Sequence, residues 1–282
     1  MSPEFTILGA GGQIGRTLVT ALATRHLVDA IERAALPGFL GSTHDAGHVI
    51  SCIGLTGDFR ARPLDTAEAH VGLTARILAR GGFASVLFLS STRVYARAAT
   101  THEDTALAAR PSDPSDLYNL TKLAGEALCL SDPRPTVRVA RLSNVTAHEP
   151  DPETFLGQIM REGRETGRVL LRQAPGSAKD YIALDDVADL LPRIAVAGKS
   201  RLYNVASGRN VTHAAIADLL RARYGWVVTF APDAPEFTFP PIDIARLDRE
   251  FAPTLSDSLR PLAMMACEQE VPCSPSMRRV AA

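Results

Sequence analysis

Short apolar runs alternate along this chain with longer stretches whose apolar residues recur at helical spacing. Residues 5–10, FTILGA, are apolar and end in glycine, the pattern of a buried strand. Residues 13–25 follow with Ile14, Leu18 and Leu22 on one helical face. The same alternation predicts strands at 26–33, 48–55, 84–92 and 136–144, and helices at 64–80 and 116–131. Strands that are apolar on both faces, separated by helices, make a parallel sheet covered on both sides, so the fold class is α/β with a doubly wound parallel sheet. After residue 145 the texture changes to a helix near 152–163, a strand at 180–184, a helix opened by Asp185 or Asp186, a strand at 201–207 and a helix at 212–225. The proline-rich stretch 230–243 reads as a loop over the surface, and 271–282 as a flexible tail.

Composition narrows the classes. The chain has 282 residues, 46% of them hydrophobic and 22% charged, which suits a globular protein with a substantial core. A net charge of −1 provides no basic field for nucleic acid and no polybasic patch for a membrane surface. No apolar run reaches the length of a membrane span, and MSPEFTILGAGG enters a strand and glycine turn without the regions of a signal peptide. Cys52, Cys129, Cys267 and Cys273 form no CxxC pair, as expected of reduced thiols in a cytoplasmic protein.

The glycine turn GAGGQIG sets Gly9, Gly12 and Gly15 between a strand and a helix. A dinucleotide needs this: a tight turn, close backbone approach to the pyrophosphate, and free N–H groups at a helix start, here near Gln13 and Ile14. Glu32 stands 17 residues beyond Gly15, at the end of the next strand, where a carboxylate accepts the adenosine ribose hydroxyls. That favours NAD, while the adjacent Arg33 offers a place for the 2′-phosphate of NADP. The expected layout is a Rossmann-like dinucleotide-binding domain at 1–145, with 180–207 returning to it, and a small substrate-binding subdomain at 146–270.

Tyr118 and Lys122 are one helical turn apart and share a face. Lys122 is one of only three lysines among 30 basic residues, in a chain that otherwise uses arginine. An ammonium beside a phenol favours the phenolate, and its compact head can also grip a cofactor ribose. Upstream, LFLSSTRVYA ends a strand with Ser90, Ser91 and Thr92, whose hydroxyls reach the crevice where ligands bind. Hydroxyl, phenol and lysine together form a proton relay, with hydride carried by the nicotinamide.

GAGGQIG, SSTRVY, YNLTK and KDYIALDDVA together resemble the extended short-chain dehydrogenase/reductase superfamily, in its NAD-dependent epimerase/dehydratase branch, over about residues 4–260. The resemblance implies an enzyme acting on sugars attached to nucleoside diphosphates, by hydride transfer at C4. It assigns catalysis to Ser91, Tyr118 and Lys122, cofactor contacts to the glycine turn and Ser90, and a place near the diphosphate to Asn144. It also implies homodimers through the helices after the fourth and fifth strands. The departures bear on substrate. Thr92 and Arg93 replace the Asp-Glu pair of 4,6-dehydratases, which disfavours that elimination. Lys179 replaces an arginine that helps hold the diphosphate, and a second such arginine is missing from residues 236–240. Only 16 residues separate Glu32 from Val49, so a strand and helices expected there are abridged. A sugar epimerase or ketoreductase using NAD or NADP is the leading expectation. A ketoreductase on a non-nucleotide substrate and a non-catalytic NAD(P)-binding regulator are the alternatives.

Overall fold

The computed structural model describes residues 4–55 and 57–264. Its strands, numbered in chain order, are β1 Phe5–Leu8, β2 Val28–Ile31, β3 His48–Ser51, β4 Ser85–Ser91, β5 Val137–Leu142, β6 Asn144–Thr146, β7 Arg168–Leu171, β8 Ala178–Ala183, β9 Leu202–Val205, β10 Asn210–Thr212 and β11 Val227–Phe230. Six of them form one parallel sheet in the order β2-β1-β3-β4-β5-β9. Its central strands are mostly apolar because both faces are covered, and β1 and β5 are buried at every position, Arg138 and Arg141 of β5 included.

One face packs on Leu18 and Leu22 of the helix Gln13–Leu22 and on Val187, Leu190, Leu191 and Ile194 of the helix Leu184–Ala197. The other packs on Leu73 and Ile77 of the helix Leu73–Arg80 and on Cys129 of the helix Leu117–Ser131. Each fully buried side chain of this kind contributes about 1.5–3 kcal/mol over leaving it in water. From β1 the chain crosses to β2 on one side and then to β3 on the other. The reversal opens a crevice at the carboxyl ends of β1 and β3, the place where open α/β sheets bind ligands.

The abridged stretch after Glu32 holds a short 3-10 turn, Arg33–Ala35, and a helix, Leu36–Gly41, before β3 begins. No strand lies outside β2 among the described residues, so β2 is the edge of the sheet. The helical run predicted at 64–80 is present, but it contains a π turn at Glu68–Gly72 between Pro63–Ala67 and Leu73–Arg80. That turn faces Gly125 on the neighbouring helix. A Cβ on Gly125 would stand 2.6 Å from the Phe88 ring and 2.7 Å from the His70 carbonyl oxygen, so only glycine lets helix, π turn and β4 meet.

The second half departs from expectation in three places. β8 does not return to the main sheet. It pairs with β6 and β10 in a small mixed sheet, and only the helix Leu184–Ala197 and β9 rejoin the first six-stranded layer. β7 and β11 form a parallel pair that the apolar pattern did not reveal, each being four residues long with exposed positions between buried ones. The stretch 230–243 is more than a surface loop, since Phe239 and Ile242 are buried against Val94 and Tyr95 and close one wall of the cleft. Cys129 is buried and Cys52 half-buried, both as free thiols. The expected tail at 271–282, with Cys267 and Cys273, lies outside the described residues. Among those described, no helix is long and apolar enough to cross a membrane.

Gly125 tests this packing. Gly125→Ala is expected to cost about 1–3 kcal/mol through overpacking, and a thermal melt unchanged from wild type would contradict the close approach.

Candidate active site

The carboxyl end of the sheet opens into a cleft of about 960 Å³. At its floor Gly9 has φ +78°, a left-handed conformation that suits glycine, and the Gly12 N–H donates to the Gly9 carbonyl at 3.0 Å. A Cβ on Gly15 would fall 2.2 Å from the Gly9 oxygen, so the helix Gln13–Leu22 starts pressed against the end of β1. No side chain caps that helix, which leaves its N-terminal dipole open to the cleft lined by Gly12, Gln13, Ile14 and Gly15. This cradle fits a pyrophosphate. The Glu32 carboxylate ends 3.7 Å from where a Gly11 Cβ would stand, at the mouth of the same turn, and Arg33 next to it is exposed. The Gln13 side chain donates across the cleft to the Glu149 carbonyl.

Ser91, Tyr118 and Lys122 meet in the middle of the cleft. Ser91 ends β4, accepts the Arg93 N–H at 3.2 Å, and hydrogen-bonds the Tyr118 hydroxyl. Lys122 is buried and donates to the Leu89 carbonyl at 2.8 Å, with its Nζ 5.8 Å from the centre of the Tyr118 ring. Beneath them, Ser90 donates to Glu126 at 2.5 Å, and Glu126 pairs with Arg141 at 2.6 Å in full burial. Ser90, expected at the cofactor, lines the cleft, and its hydroxyl is committed to Glu126.

Burial governs the protonation states. It raises the Tyr118 phenol above its usual value of 10.0, against the lowering influence of Ser91 and then Arg93. Burial also depresses the Lys122 ammonium to about 7, while Glu126 and Cys52 pull it back up. Two cations stand near the phenol. The Arg93 guanidinium carbon lies 5.5 Å from the ring centre and the Lys122 Nζ 5.8 Å, the latter also donating to a backbone carbonyl. His70, on the π turn, is buried behind residues 54–55, which follow β3. Its Nε2 accepts the Leu55 N–H at 3.3 Å, so Nδ1 carries the proton and donates to Thr121 Oγ1 at 2.8 Å. Burial and then Lys122 lower it to about 3, which keeps it neutral.

The remaining expected residues also line the cleft. Thr92 is buried beside Ser91, and Asn144 is exposed with its amide donating to the Asp180 carbonyl at 2.8 Å, which ties β6 to β8. Lys179 is half-buried, with its Nζ 5.9 Å from the Phe237 ring centre. Sequence reading passed over Arg60, which follows β3, and Gln173 and Phe237 from the second half, all of which line the cleft, and Phe59 behind them. Phe59 packs 5.5 Å from the Tyr118 ring. No motif marks these residues, and only the position of β3 beside β1 would have pointed to the loop that follows it.

The sequence model of the NAD dependent epimerase/dehydratase family matches residues 5–206, from β1 through the end of β9. The chain belongs to this family. No curated protein matches the sequence closely enough to count as a relative. Among solved structures, the fold is similar to an NAD-dependent NDP-hexosamine 5,6-dehydratase of tunicamycin biosynthesis, at TM-score 0.76 and 19% identity over 94% of this chain and 99% of that one. It is also similar to UDP-glucuronic acid 4-epimerase from Bacillus cereus, complexed with UDP-glucuronic acid and NAD, at TM-score 0.74 and 17% identity over 92% and 97% of the two chains. RMD from Pseudomonas aeruginosa, complexed with NADPH, aligns at TM-score 0.73 and 22% identity over 92% and 98%. At these identities the likeness establishes the family fold, a Rossmann-like parallel sheet, and leaves the chemistry to the residues of the cleft.

The buried ammonium makes a measurable stability statement. The folded-state value of Lys122, about 7, lies below the usual 10.5, so its penalty is complete below pH 7 and fades as pH rises towards 10.5. Lys122→Met is therefore expected to melt no lower than wild type at pH 6, and any advantage should shrink above pH 7. A variant that melts far below wild type at pH 6 would contradict this.

Proposed function

We propose that the protein is an NAD(P)-dependent enzyme of nucleotide-linked sugars, oxidising a ring hydroxyl and returning hydride to the ketone. The observation that carries this is the convergence of Ser91, Tyr118 and Lys122 in the cleft that the glycine turn opens. When bound, the nicotinamide supplies the hydride acceptor and donor. Gly9, Gly12, Gln13, Ile14 and Gly15 would hold its pyrophosphate, and Glu32 its adenosine ribose.

Tyr118 exchanges the proton of the reacting hydroxyl. Ser91, hydrogen-bonded to that phenol, orients the same substrate oxygen. Arg93 favours the phenolate against the burial that opposes it. Lys122 grips the nicotinamide ribose and keeps the helix register through Leu89. Thr92, Asn144 and Lys179 stand on the substrate side, with the cofactor turn opposite.

Two contacts across the cleft favour a cofactor that stays bound through turnover. Gln13 bonds the Glu149 carbonyl, and a Cβ on Gly57 would stand 2.5 Å from the Glu153 Cβ. A retained cofactor suits epimerisation, in which hydride leaves and returns within one binding event, over ketoreduction, which must exchange cofactor each cycle.

Tyr118→Phe is expected to lower turnover of a nucleotide sugar by about 10²–10⁴-fold with little change in NAD affinity. Turnover at the wild-type level would overturn the acid–base role. Purified protein is expected to carry NAD through gel filtration, and free exchange would favour the reductase. The Glu32 carboxylate repels a 2′-phosphate, so titration should find NAD bound more tightly than NADP. Removing the charge with Glu32→Gln should narrow the gap, and tighter NADP binding by the wild type would refute this role.

A further inference from the structure

Three cations, Arg60, Arg93 and Lys179, line the cleft with no carboxylate in ion-pair contact among the described residues. The Arg93 guanidinium lies 5.1 Å from the Phe59 ring centre and 5.5 Å from that of Tyr118, and its Nη2 donates to the Ser115 carbonyl at 3.2 Å. Arg60 lies over the same Phe59 ring at 4.6 Å and donates to the Ser115 hydroxyl at 3.0 Å. Lys179 faces them from β8. Among the described residues, none of the three has a carboxylate within ion-pair distance. The nearest acids towards Arg93, Asp113 and Asp116, are held by Arg97 at 2.7 and 2.9 Å. A partly buried guanidinium beside a second cation, lacking a counter-charge, is costly unless a ligand supplies one.

We propose that Arg93, backed by Arg60 and Lys179, receives a carboxylate carried by the sugar ring of the substrate, next to the carbon that reacts at Tyr118. This rests on reading the cleft as a nucleotide-sugar site and narrows the substrate to a nucleotide-linked uronic acid.

The position of Arg93 distinguishes a sugar carboxylate from the diphosphate. In a glycosyl diphosphate the phosphates leave C1, and C4 lies across the ring from it. A ring with C4 at the phenol turns its phosphates away from Tyr118 and from the arginine against the same ring. The carbon that bears a uronate carboxylate is C6, attached to C5, the direct neighbour of C4. A planar guanidinium also matches a carboxylate with two parallel hydrogen bonds.

The electrostatics agree. Burial lowers the Arg93 guanidinium from its usual value and Arg60 adds to this, while Tyr118 and, more weakly, Asp116 and Asp113 oppose it. Burial and then Arg93 lower Lys179. One anion between them relieves both. Arg93 also occupies the position where the resemblance expects the acid of a dehydratase, so charge at this point of the cleft is reversed.

The test is calorimetric titration of NAD-saturated protein with UDP-glucuronic acid, UDP-glucose and UDP. Wild type is expected to bind the uronate at least about tenfold more tightly than the glucose, the scale of a hydrogen-bonded ion pair. Arg93→Met should erase that preference, Arg93→Lys should restore part of it, and both variants should keep wild-type NAD affinity as evidence of folding. Equal wild-type affinity for the two sugars overturns the carboxylate site while leaving the nucleotide-sugar reading intact. An equal loss for UDP-glucose and UDP in Arg93→Met also overturns it, placing Arg93 at the diphosphate. Failure of all three ligands to bind overturns both readings.

Discussion

Everything in the cleft depends on how the helix Leu117–Ser131 is seated against β4 and β5. Three contacts along one face set that seat. Lys122 donates to Leu89, Gly125 meets Phe88 and the π turn without a side chain, and Glu126 locks to Arg141 and Ser90 in full burial. Breaking one partner of such a buried pair leaves an uncompensated charge and costs about 3–5 kcal/mol. The seat therefore cannot slide by a turn without exposing that cost, and Tyr118 is held in register with Ser91. The acid–base geometry is a consequence of packing and charge pairing below the cleft.

The same seat explains why a lysine stands at 122 in a chain built on arginine. Its Nζ sits 3.5 Å from where a Gly54 Cβ would be and reaches a single carbonyl acceptor. A guanidinium brings five donors in a rigid fork and needs more room and more partners than one carbonyl beside a glycine loop provides. Arginine serves where its partners are several, as at Arg141, which bonds both Glu126 oxygens, Tyr95 and the Glu103 carbonyl. The proposed grip on the cofactor and the local shortage of acceptors thus both favour the ammonium.

The main sheet was legible because its central strands are buried on both faces and read as largely apolar runs bounded by helices. β7 and β11 were not, since short strands with exposed positions carry no such run. The glycine turn and the Tyr118–Lys122 pair were legible through spacing alone. The direction of each side chain was not. Neighbouring hydroxyls on a strand face opposite sides, so Ser90 goes to Glu126 and Ser91 to the cleft, and only the β4 register decides which. Likewise, one helical turn between Tyr118 and Lys122 places them on one face without saying which group each one touches. Phe59 and Arg60 reach the site through topology, from a loop that carries no motif.

The charges of the cleft are arranged in sequence along it, and that order constrains how the site can work. A helix dipole and free N–H groups lie at the glycine turn, Glu32 beyond them at the mouth, the neutral phenol and hydroxyl in the middle, and three cations at the far side. Both charged ends therefore suit anions, and of the carboxylates that line the cleft Asp113 and Asp116 are paired with Arg97. Burial opposes the phenolate there, so the proposed proton exchange at Tyr118 would need a cation, and Arg93 and Lys122 stand 5.5 and 5.8 Å from the ring centre. A substrate anion on Arg93 would weaken that help as it binds. Lys122, with its Nζ 5.8 Å from the ring centre, would then have to support the oxidative direction, in which the phenol must accept the proton of the bound hydroxyl.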